Sequence, residues 1–162
     1  GMATLRRDGF TSLEVAPTAS RSDGVAITKP LIFTGSHLFV NFGVSGGDDD
    51  SRRNNSSSGY ATASLVIAVL DAATSRPIAP FNASTTITKD SVRQLVTWEN
   101  DGATDLSAVA GKPVRLQFTL TGTGSQLFSF WVAKSKCGES NGYVAAGGKR
   151  FTGMSDTNGS CV

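Results

Sequence analysis

A single histidine, His37, is all that this 162-residue chain offers for imidazole chemistry. A Ser-His-Asp nucleophile needs an imidazole to take the hydroxyl proton. His37 stands beside Leu38 at a strand entry, no G-x-S-x-G elbow occurs anywhere, and the residue reads as a surface or turn histidine. One His and two distant Cys also exclude a nitrogen–sulfur metal site. Charge is scarce as well: 17% of residues are charged, the net charge is +2, and Lys and Arg occur at most in pairs such as Arg52-Arg53 and Lys149-Arg150. The electrostatic footprint of a nucleic-acid binder is missing, so no nucleic acid is expected as partner. The longest apolar run, Leu65 to Leu70, falls short of the ~18 residues needed to cross a bilayer, and no membrane partner is expected either. The N-terminus lacks the charged-then-apolar layout of a signal peptide, and Gly1 before Met2 reads as an expression scar that leaves the natural start open.

What the chain does have is alternation. In Asp105 to Val132, DLSAVAGKPVRLQFTLTGTGSQLFSFWV, a tight polar turn joins two strand patterns. Val114, Leu116, Phe118 and Leu120 point one way, and Arg115, Gln117 and Thr119 the other, as in a strand with one buried face. Phe128 and Phe130 are expected to face the buried set from the neighbouring strand. The remaining strand patterns are Phe10–Val15, Val25–Phe33, His37–Val44, Ser64–Leu70, Val92–Trp98 and Gln126–Ala133, each bounded by turn formers. Asp105 to Ala110 reads as one helical turn, with Asp105 as its cap and Gly111 as its stop. No internal repeat is present. The pattern predicts an all-β fold, a two-sheet antiparallel β-sandwich of jelly-roll type, as a single domain over residues 1–162. Residues 45–60 are expected to be a mobile polar loop, and residues 138–162 a Gly-rich C-terminal wrap pinned by Tyr143, Val144 and Phe151.

The same segments carry a resemblance. LRRDGFTSLEV, TKPLIFTGSHLFVNF, LVIAVLD with RPI after it, SVRQLVTWENDGATDLS, GKPVRLQF followed by LFSFWV, and SNGYVAAGG occur in order over most of residues 5 to 148. Together they resemble the C-terminal β-sandwich module of proteins similar to family-32 glycoside hydrolases, which carry a five-bladed propeller upstream. The chain departs from the pattern at SGGDDDSRRNNSSSGY and after Gly148. The resemblance implies a non-catalytic accessory module whose partner is the upstream propeller of the parent protein, with weak glycan binding as an accompanying role. A free-standing secreted lectin or adhesion domain is the alternative, and a glycosidase in its own right the least favoured reading.

Glycosidase chemistry needs two carboxyl groups facing one sugar ring, one of them with a raised pKa. Asp8, Asp71, Glu99, Asp101 and Asp105 all fall at strand ends or turns, where Asp bonds the backbone. The RRDGF of residues 6 to 10 lacks the Pro of the family's Arg-Asp-Pro triplet, and no catalytic residue is assigned. Asp48-Asp49-Asp50 supplies hard oxygen ligands but neither the alternate spacing nor the distal Glu of an EF-hand, so no metal ligand and no cofactor is assigned; a structural calcium in some other loop stays open.

Sugar binding asks for aromatic platforms beside polar groups, since the C–H faces of a pyranose pack on rings. The candidate carbohydrate-binding residues are Trp98, Arg93, Tyr143 and Trp131. Trp98, at a strand end beside Glu99 and Asn100, is the preferred platform, whereas Trp131 also suits packing against the propeller or the C-terminal tail. Cys137 and Cys161 flank the Gly-rich tail as a candidate disulfide worth about 3 kcal/mol of loop entropy. With the sequons at Asn54, Asn55, Asn82 and Asn158, they point to an extracellular or secretory setting.

Overall fold

The computed structural model describes residues 6, 8–15, 23–44, 63–98 and 103–140. Seven strands form in chain order: β1 (Leu13–Glu14), β2 (Asp23–Ile27), β3 (His37–Val44), β4 (Ser64–Asp71), β5 (Ser91–Leu95), β6 (Val114–Thr121) and β7 (Ser125–Ala133). They make a four-stranded sheet in the order β1-β7-β3-β5 and a three-stranded sheet in the order β2-β6-β4, all pairs antiparallel. Successive strands therefore alternate between sheets, and the pairings nest: β1 with β7, β2 with β6, β3 with β5. Such nesting arises when one long hairpin is wrapped around a sandwich, which is the jelly-roll arrangement. The place of an eighth strand, beside β4, is held by single bridges from Pro77 to Leu70 and from Ile87 to Leu65.

The core lies between the sheets, and β6 supplies its centre. Val114, Leu116, Phe118 and Leu120 are all buried, while the residues between them are only partly so. Leu65, Ile67 and Val69 of β4 share their face through the register Leu65↔Leu120, Ile67↔Phe118 and Val69↔Leu116. From the other sheet come Leu38, Val40 and Phe42. Alternation thus places the buried faces as the sequence pattern predicts.

Strand ends are shorter than the pattern suggests. Only Leu13 and Glu14 of the first candidate join a ladder, and β2 stops at Ile27. Pro30 lacks an N–H, and past it only Leu31 returns, as an isolated bridge to Val114. β5 ends at Leu95, and Trp98 bridges Ser84 in the turn beside it. The helical turn is a single 3-10 turn at Ser107–Val109, whose first N–H bonds to Asp105 Oδ1 at 2.7 Å.

β7 corrects one expectation. Asn41 pairs with Ser129 but Phe42 pairs with Leu127, so Phe128 is an extra residue bulged out of the ladder. Leu127 before the bulge and Phe130 and Val132 after it turn inward; Phe130 meets Phe118 with ring centroids 5.0 Å apart. Phe128 instead lies on the outer side of the sheet, over Gly43, where a Cβ would come within 2.7 Å of its ring. A bulge shifts the two-residue period by one, so Phe128 does not face the β6 set.

Arg6 ties that outer side together. Its Nε donates to Asn41 Oδ1 at 2.7 Å, Nη2 to the Phe42 carbonyl at 2.8 Å and Nη1 to Asp90 Oδ1 at 2.8 Å, with the guanidinium 4.8 Å above the Phe128 ring. Burial disfavours the Asp90 carboxylate, but the hydrogen bonds from Arg6 and the Val44 N–H and the attraction of the guanidinium outweigh it, so its pKa lies below the usual carboxylate range. Arg6→Met should cost about 2 kcal/mol or more, because it leaves Asn41 and the Phe42 carbonyl without their charged donor. A group with a depressed pKa contributes stability above its ordinary pKa of 3.8 and loses it as pH falls through the folded value. Urea unfolding from pH 6 down to pH 3 should therefore show a shallower acid loss in Arg6→Met than in the parent chain.

Candidate functional site

Two of the sequence candidates meet on the outer side of the four-stranded sheet. Phe39 of β3 points away from the inter-sheet core, and the indole of Trp131 stacks on it, centroids 5.6 Å apart and planes 13° from parallel. The Trp131 Nε1–H donates to the Gly138 carbonyl at 3.2 Å. Gly138 adopts φ +80°, and a Cβ there would meet Phe39 Cε1 at 2.7 Å and Arg93 Cδ at 3.0 Å. Only glycine lets the 134–140 turn settle this closely against the sheet. The stem of Arg93, a neighbouring outward residue on β5, lies along the same turn, with its side chain exposed.

Arg93 and Trp131 thus border one shelf, built from β3, β5, β7 and the turn after β7. Trp131 is half-buried and Phe39 is only 2% exposed. The Arg93 guanidinium makes no hydrogen bond or ion pair with any described residue, leaving its donors to solvent or ligand. Ser135 Oγ donates to Glu139 Oε2 at 2.6 Å, and that bond, first among its contacts, holds the Glu139 carboxyl below its usual range. Cys137 is disulfide-bonded, which anchors the turn; Cys161, the other cysteine, lies outside the described residues.

Trp98 does not join the shelf. It is fully buried, packed edge-on to Phe81 with centroids 5.3 Å apart, and belongs to the inter-sheet core with Val96. In the β5 register Leu95 is opposite the outward Phe39 and Gln94 opposite the inward Val40, so the even-numbered residues turn inward, carrying Val96 and Trp98 with them. A ring without accessible surface cannot serve as a sugar platform, which corrects its assignment. Tyr143 lies outside the described residues, as do Glu99, Asp101, the Asp48–Asp50 run and most of the C-terminal wrap.

Asp71 and Asp105 behave as turn formers. Asp71 Oδ1 accepts from the N–H groups of Ala73 and Thr74 and from the Thr74 hydroxyl, which lowers its pKa, chiefly through Thr74. Asp105 is lowered in the same way by Ser107. Asp71, Asp90, Asp105 and Glu139 are thereby held ionised more firmly than free carboxyls, the opposite of the raised pKa that a general acid needs. No group of three or more His, Cys, Asp or Glu side chains converges among the described residues. His37 is half-buried, its Nδ1 2.8 Å from Ser36 Oγ. Asn82 is exposed in the turn after Phe81, which makes that sequon sterically accessible.

Sequence reasoning missed Phe39, which reads as an ordinary strand residue, and Gly138. Their roles depend on a turn that folds back across three strands. No protein-family model, curated protein or solved structure matches this chain.

Proposed function

We propose that this chain is a non-catalytic accessory β-sandwich module of a glycosidase-like protein, and that its glycan contact falls on the Trp131–Arg93 shelf. The ordered motifs from LRRDGF to GYVAAGG support the accessory part. The glycan part rests on one observation: a tryptophan held flat on Phe39, outside the core, beside a guanidinium that no described residue pairs. The ring offers a surface for pyranose C–H groups, and Arg93 offers donors for hydroxyls. A shallow shelf buries little of each sugar and every hydroxyl must be desolvated, so dissociation constants should lie between about micromolar and millimolar.

Titration of fructan, xylan and galactan oligosaccharides, followed by NMR, tests the reading. Shifts are expected at the Trp131 indole N–H and around Arg93. Arg93→Ala, at an exposed position, should weaken binding, and Trp131→Ala should remove it, while Trp98→Phe leaves it unchanged. No shift with any glycan at millimolar concentration would remove the glycan role, and a natural gene with no propeller upstream would remove the accessory role.

A further inference from the structure

The two flanks of the sandwich are closed differently. On the β4–β5 flank the connection between those strands folds Ile78, Phe81 and Ile87 into the core. On the β1–β2 flank the connection brings only Val15, among the described residues, into the core. There an apolar cleft of about 450 Å3 opens between the sheets, floored by Phe118 and Leu127 and walled by Leu13, Ala26, Ile27 and Phe130.

Above this cleft no described residue pairs with the outer edge of β7 beyond Leu127. Val96 N–H donates to the Leu38 carbonyl, so the main-chain groups of the even-numbered β3 residues face β5 and those of the odd-numbered ones face β7. The Ala133 carbonyl accepts from the N–H of Ser36, just before β3, so the main-chain groups of the odd-numbered β7 residues face β3. With Val132 opposite Leu38 and Phe130 opposite Val40, the N–H and C=O of Phe130 and Val132 point away from β3, toward the line of β1. But β1 pairs only at Leu127 and Gln126, and no described residue bonds to these outward groups.

The ends of this edge differ in charge. Lys134 follows β7, and Lys29 follows the residue whose N–H bonds the Leu116 carbonyl, so both stand at the end away from the 121–125 turn. Glu14 and Asp23 stand at the turn end, opposite Gln126 and Thr121. Both lysines are exposed, and neither joins an ion pair with a described residue.

We propose that the β7 edge takes an extended segment of another polypeptide by strand addition, in line with β1 and antiparallel to β7. Main-chain donors and acceptors two residues apart match an extended backbone, and side chains opposite Val132 and Phe130 point into the cleft, where large apolar groups fit. In that direction the segment's N-terminal end meets Lys29 and Lys134, which favours a carboxylate there. The partner is thus a strand that begins acidic and alternates apolar with neutral residues.

The test uses the full chain and an acetylated, amidated hexapeptide, Glu-Thr-Leu-Thr-Phe-Thr, set to place Leu and Phe opposite Val132 and Phe130. Expected are amide shifts at Phe130 and Val132 and slowed hydrogen exchange of both. The same peptide N-methylated at Leu and Phe should bind at least about tenfold more weakly, since it keeps the apolar groups but loses two main-chain bonds. Lys134→Glu should weaken the parent peptide about threefold. The proposal is overturned by unshifted Phe130 and Val132 amides at millimolar peptide, or by equal binding of the N-methylated form. Shifts of those amides on dilution of the free protein would assign the edge to a second copy and overturn it as well.

Discussion

Trp98→Ala should lower the unfolding free energy by about 3–5 kcal/mol, the range for deleting a large buried aromatic. Trp98 is the largest fully buried side chain among the described residues, and its edge-on contact with Phe81 helps close the β4–β5 flank. Truncation removes that contact and leaves a void that the neighbouring strands cannot collapse into without breaking their ladders. Trp98→Phe should behave very differently. The indole Nε1 is buried with no hydrogen-bond partner among the described residues, so phenylalanine keeps most of the packing and relieves an unsatisfied donor. Chemical denaturation of the two variants separates the outcomes. A loss below about 1 kcal/mol for Trp98→Ala would contradict its burial.

Phe118→Ala should cost about 3–5 kcal/mol as well, for a different reason. Phe118 sits at the centre of β6, opposite Ile67 on one neighbour and Ala26 on the other, and packs across the sheets on Phe130. Its loss removes contacts to both sheets at once and deepens the cleft that it floors. Denaturant unfolding gives the magnitude. A loss under about 1 kcal/mol would mean that the sheets are not in the register described. Because Phe118 contacts both sheets while Trp98 closes one flank, the double variant should be close to additive, with any coupling confined to strain shared through β4.

The fold was legible because its determinants are local. Strand residues alternate between faces, so the run Val114-Arg115-Leu116-Gln117-Phe118 displays its buried side without reference to anything else in the chain. The same reasoning misplaced Phe128, since a single bulged residue inverts the face of everything after it and leaves no mark in a run as apolar as LFSFWV. It misplaced Trp98 too: Val92, Gln94, Val96 and Trp98 alternate with Arg93, Leu95 and Thr97, and both sets mix apolar with polar residues. Only the pairing of Leu95 with Phe39 decides which set is inside.

The shelf was half legible. Trp131 and Arg93 stand out as an aromatic and a cation near strand ends, but nothing local says that both will border Gly138. Arg6 was not legible at all as a structural centre, for its partners Asn41, Phe42 and Asp90 lie 35, 36 and 84 residues away. By itself the sequence determined the strands, their turns and the inward side of β6, all of which follow from the two-residue period and from turn chemistry. The tertiary structure decided the nested strand order, the bulge, the burial of Trp98 and how far β1 pairs along the edge of β7. Each of these depends on which distant strand supplies the hydrogen bonds, and main-chain groups are the same at every residue except proline, so that choice is not written in side-chain pattern.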